Sequence, residues 1–100
     1  MPVYLEARIR AVPGKLRPLV ELLSGELIPL MQGQGWKLQG LFVGKTGPIN
    51  TIINLWELED MEHFRRAYGG FVGHPDFPSI RARLDSHVQE EVLTFLDRRD

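Results

Sequence analysis

From Val3 to Ala11 apolar and polar residues alternate without interruption. Val3, Leu5, Ala7, Ile9 and Ala11 share one face, and Tyr4, Glu6, Arg8 and Arg10 share the other. A period of two predicts a strand with one buried side. Pro13 and Gly14 end it, and from Lys15 the period changes. Leu16, Leu19, Val20, Leu23, Leu27, Leu30 and Met31 recur at the three-and-four spacing of one helix face. Pro18 falls near the first turn, where its missing N–H has no partner to lose. Pro29 forfeits a bond to the carbonyl of Gly25, so a kink or the last turn is expected there. Gly33 and Gly35 supply the stop.

Alternation resumes from Trp36 to Val43, and a glycine-containing turn follows at Gly44–Pro48. Thr51–Leu58 is rich in β-branched residues and apolar on both faces, so the pair reads as a hairpin whose second strand is covered on both sides. Asp60 is placed to cap a second helix, along which Met61, Phe64, Tyr68, Phe71 and Val72 share a face. Gly69, Gly70 and Gly73 weaken its end, and His74-Pro75-Asp76-Phe77-Pro78 reads as a break. Pro78 suits the start of a short further helix, with Ile80 and Leu84 inward and Arg81 and Asp85 paired outside. Val88–Leu96 is a last strand, its pattern interrupted by Glu90 and Glu91, and Asp97–Asp100 is a charged tail. The order predicts an α+β fold, a ferredoxin-like β-α-β-β-α-β sandwich, as a single domain over residues 1–100. Both helical regions then lie on one face of an antiparallel sheet. Ile53 and Leu55 alternate with Asn54 and Trp56, so one pair must face away from the helices or into a partner.

A chain of 100 residues buries only about 60–70% of its unfolded surface, and self-association would add to its stability. The formal net charge of −1 carries no nucleic-acid footprint and does little to oppose pairing with a second copy. The absence of cysteine excludes disulfides, thiolate nucleophiles and cysteine-ligated metals. No apolar run approaches the roughly 20 residues of a membrane span, and Met1–Glu6 shows no signal-peptide pattern. The expectation is a cytoplasmic protein that binds neither membrane nor nucleic acid.

Several segments resemble the NIPSNAP family. Val3-Tyr4-Leu5-Glu6-Ala7-Arg8-Ile9-Arg10 followed by Pro13-Gly14-Lys15 is similar to the family's opening strand and helix start. Ile28-Pro29-Leu30 resembles its late helix proline, and Gly47-Pro48-Ile49-Asn50 leading to Asn54-Leu55-Trp56 resembles its hairpin. His74-Pro75-Asp76-Phe77 is similar to a break that usually carries Asp-Pro and an aromatic. Asn54 stands where the family pattern often has histidine. The resemblance covers most of the chain. It implies a dimeric α+β barrel, in which two sheets pack into one barrel with helices outside. It assigns no activity, and the wider fold hosts oxygenases, degradative enzymes and plain binding proteins.

The candidate chemistry is sparse. Asn54 and Trp56 share a strand face, which allows either a polar ligand anchor beside an aromatic wall or a satisfied asparagine beside a core tryptophan. Phe64, Tyr68 and Phe71 share a helix face that would complete such a pocket. His74, in the break, is the candidate catalytic base, since imidazole titrates near neutrality. A pocket is therefore expected between the sheet and the second helical region, away from the dimer axis. The spacing of His63, His74 and His87 matches no zinc signature, so no metal is expected, and no cofactor either. No Gly-x-Ser-x-Gly elbow or phosphate loop is present. Three readings follow: a homodimer that binds a small apolar or aromatic metabolite, a cofactor-independent monooxygenase-like enzyme acting on an aromatic or polyketide-like metabolite with Trp36, Phe42 and the pocket residues, and a protein-interaction module.

Overall fold

The computed structural model describes residues 1–100. Strand β1 (Val3–Ala11) leads into a helix built in three parts: α1 (Leu16–Leu22), a π-helical turn (Leu23–Leu27) and α2 (Ile28–Gly33). Then come β2 (Lys37–Val43), β3 (Thr51–Leu58), α3 (Met61–Val72), α4 (Phe77–His87) and β4 (Val88–Leu96). The sheet order is β2-β3-β1-β4 and every neighbouring pair is antiparallel. This is the expected ferredoxin-like arrangement, with the first and third strands central.

Pro29 explains why the first helix comes in parts. Its ring cannot donate to a carbonyl one turn back. The chain widens just before it: the N–H of Ile28 donates to the carbonyl of Leu23, five residues earlier, which is a π turn. Pro29 then falls in the first turn of α2, where it costs nothing. The extra residue also rotates the apolar stripe. Leu22 and Ile28, off the predicted stripe, are buried, whereas Leu30, on it, is only partly covered. Gly35 closes the helix in the left-handed region, at φ +94°, as a stop glycine should.

The register assigns the faces. Leu5 lies beside Trp56 and Phe95, Ala7 beside Asn54 and Leu93, and Ile9 beside Ile52 and Glu91. These residues share one side of the sheet. Leu5, Ile9, Ile52 and Trp56 form the core with Leu19, Leu23, Leu27, Ile28 and Met31, so the helices cover that side. Tyr4, Glu6, Arg8 and Arg10 point the other way with Ile53 and Leu55, which are half-buried. Within one chain β3 is thus fully covered on its helix side only, short of the two-sided cover its composition suggested. The molecule measures 38 × 37 × 18 Å, a two-layer slab with one sheet face uncovered.

Two local expectations change. Trp36 precedes β2: its indole N–H donates to the carbonyl of Ala67 at 3.1 Å, tying the start of the strand to α3. The second helix runs through Gly69 and Gly70 to Val72, as expected. Gly70 lies against the carboxamide of Gln34, where α3 meets the end of the first helix. Met61 shares the predicted apolar face but is exposed.

Candidate functional site

A cavity of about 160 Å³ lies between the helix side of the sheet and the helices. Leu5, Ala7 and Ile9 of β1 and Asn54 and Trp56 of β3 form its floor. Leu27 and Met31 close one side; Trp36, Phe64, Phe71 and Phe77 supply aromatic walls. The aromatic packing is edge-on. Trp36 meets Trp56 at 5.7 Å, Phe64 at 5.6 Å and Phe71 at 6.3 Å, and Phe71 meets Phe77 at 4.8 Å. Such T-shaped pairs fix ring orientation, because each ring edge points at its neighbour's negative face.

The mouth opens toward β4. Leu93, 55% exposed, and Phe95, 45% exposed, line the cavity from that edge strand. Phe64 crosses to Phe95 at 4.9 Å and Tyr68 stands beside Phe64, itself 47% exposed. Arg81 and Glu91 are the charged lining residues, and both are exposed at this rim. The guanidinium of Arg81 already pairs with Asp85, one helical turn on, at 3.1 Å.

Asn54 is the exception in this apolar shell. The residue is 2% exposed, and its Nδ2 is buried without a hydrogen-bond partner. Its neighbours across the strands are Ala7 and Leu41, whose side chains offer nothing to bond. A buried amide left unpaired costs about 1–3 kcal/mol. The site thus joins the predicted residues Asn54, Trp56, Phe64, Tyr68 and Phe71 around one space, between the sheet and the second helical region.

His74 is not among them. It lines a separate open depression with Glu26, Pro29, Ser79 and Arg83, on the far side of α4's first turn. Its ring closes the turn between α3 and α4: Nδ1 accepts the N–H of Asp76 at 3.1 Å and lies 3.9 Å from the Asp76 carboxylate. Phe77, three residues on, occupies the cavity end where a loop histidine was expected. The pairing of Asn54 with His74 therefore does not form. Phe42 also lies apart: it is exposed, and its register beside Ile53 places it on the opposite sheet face. His63 is a capping residue. Asp60 accepts the N–H of His63 at 2.7 Å, and His63 Nδ1 accepts the N–H of Glu59 at 2.9 Å. Sequence reasoning also missed Leu93, Phe95 and Glu91 as lining residues; the interrupted pattern of β4 gave no sign of which face they take.

The uncovered face carries its own polar arrangement. Tyr4 donates to Glu57 at 3.0 Å and Lys37 approaches the same carboxylate at 3.4 Å. The tyrosine hydrogen bond, with help from Lys37, holds the Glu57 carboxyl below the usual carboxylate range. Around these charges lie Ile53, Leu55, Phe42, Val92 and Leu96.

An antiparallel ferredoxin-like sheet with an aromatic-walled cavity under its helices defines a small α+β protein. The NIPSNAP family model matches residues 4–97, and the chain belongs to that family. Among solved structures it is similar to a NIPSNAP family protein from Agrobacterium tumefaciens, with 20% identity, TM-score 0.93 and coverage of 100% of this chain and 95% of that one. A NIPSNAP domain protein from Burkholderia xenovorans gives 17% identity, TM-score 0.88 and coverage of 99% and 95%. SnoaB, a cofactor-independent oxygenase from Streptomyces nogalater, shares the fold at 16% identity, TM-score 0.75 and coverage of 99% and 94%. No curated protein matches by sequence.

Proposed function

We propose that this protein is a homodimeric binder of a small apolar or aromatic metabolite, held in the cavity between the sheet and helices α3 and α4. The observation that carries the reading is a cavity walled by aromatic rings with Asn54, a buried polar side chain lacking a partner for its Nδ2, among its lining residues. Apolar walls with one convergent polar group are the usual make-up of a small-molecule site. Trp36 and Trp56, the chain's two tryptophans, both line the space and report on its contents. Titration with ethylbenzene should change their fluorescence saturably. No change up to the solubility limit of the probe would overturn the reading.

The dimer rests on the uncovered sheet face. Four strands about 4.8 Å apart and about eight residues long present a flat projection of about 500 Å² per copy, before side-chain relief is counted. Two such faces reach the roughly 1,000 Å² that a specific interface needs. Light scattering should return twice the 11.5 kDa chain mass at micromolar concentration. A cytoplasmic location belongs to the same proposal and fits a chain without cysteine.

An oxygenase of the SnoaB kind has less support. Proton abstraction needs a base within reach of the substrate. His74 is engaged in its own turn, and Glu91, the carboxylate lining the cavity, sits at the exposed rim.

A further inference from the structure

The strand register sets a small side chain in the middle of the cavity floor. Ala7 pairs with Asn54 on one side and with Leu93 on the other. Leu5 and Ile9 precede and follow it on the same face of β1. All five residues line the cavity, and the four around Ala7 carry longer side chains. Side chains on one sheet face stand side by side at fixed spacing, so a methyl group ringed by longer neighbours leaves a dip. The adjoining rows have no such gap: Leu5 lies between Trp56 and Phe95, and Ile9 between Ile52 and Glu91. Phe64 and Phe71 of α3 and Leu84 of α4 line the space from the helix layer. Its volume of about 160 Å³ is close to the roughly 150 Å³ apolar cavity that, in another protein, admits benzene.

Resting on the binding reading above, we infer that Ala7 is the residue that determines ligand size, and that the buried part of the ligand is a single aromatic ring seated over its methyl group. The limit is steric and asks nothing of the polar groups around the cavity. A ring with one narrow substituent fits, because the substituent leaves through the mouth beside Leu93. A ring with groups on several sides does not, because the longer side chains around Ala7 meet them. Ala7→Leu would add three carbons and take roughly half of the space that one ring needs.

The test compares ethylbenzene with mesitylene, which carries methyl groups on three sides of its ring, by tryptophan fluorescence. The wild-type protein should bind ethylbenzene at least about tenfold more tightly than mesitylene. Ethylbenzene should weaken by about tenfold in Ala7→Val and lose measurable binding in Ala7→Leu. Ethylbenzene affinity unchanged in both variants, or mesitylene bound as well as ethylbenzene, overturns the inference and leaves the binding reading standing. Failure of the wild-type protein to bind either probe overturns both. Urea denaturation without ligand separates a filled cavity from a damaged core. Side chains added into open space keep or raise the midpoint, whereas overpacking a closed core lowers it. The Ala7→Leu midpoint should therefore hold or rise. A lowered midpoint means that Ala7 packs against the helices with no space above it, and the inference falls whatever the binding result.

Discussion

Asn54 occupies a place where leucine would pack without penalty. Its backbone position in β3, between Ala7 and Leu41, is ordinary extended strand, so the cost lies in the side chain alone. Replacing a buried, unpaired polar group with an apolar one of similar volume removes a desolvation penalty. Asn54→Leu should therefore raise the stability of the ligand-free protein by about 1–3 kcal/mol, seen as a higher urea midpoint at unchanged slope. A lower midpoint would mean that the amide is satisfied in the free protein and is part of the structure. Stability given up at one residue is the usual mark of a site kept for binding. At this scale the sequence was informative about Asn54 and Trp56, because period-two alternation puts both on one face. It was uninformative about His74, because a loop residue has no period and its ring direction follows from the hydrogen bond to Asp76.

At the scale of elements, α3 positions the aromatic wall and depends on its first turn. Asp60 takes the N–H of His63, and His63 reaches back to the N–H of Glu59. This reciprocal arrangement satisfies donors that a helix start leaves unpaired. Asp60→Ala should lower stability by about 1 kcal/mol in chemical denaturation. Phe64, one residue beyond His63, should also lose order, which near-ultraviolet circular dichroism of the aromatic cluster would detect. The glycine pair at Gly69–Gly70 lowers the intrinsic helix propensity of the end of α3, yet the helix runs through it to Val72.

At the scale of the molecule, the two faces of the sheet have separate tasks. The helix face builds the cavity, and the uncovered face is the proposed dimer surface. Leu55 belongs to the second and Trp56 to the first, one residue apart. Leu55→Glu would place a charge next to Glu6, with which Leu55 is paired across the strands, and opposite the partner's sheet. Light scattering should then return the monomer mass, and the ethylbenzene titration should be unchanged. Loss of binding along with the dimer would show that the cavity is completed by the second copy.

The strand and helix order, the split β-α-β-β-α-β topology and the shared faces of Asn54 with Trp56 and of Phe64 with Phe71 were determined by the sequence itself. Each follows from periodicity, which is a local property of the chain. Only the tertiary structure decided that Trp36 stands between those two faces, that β4 forms the rim, and that His74 turns away. Those outcomes depend on how far α3 and α4 sit from the sheet. That distance is set by ring-on-ring contacts between residues far apart along the chain.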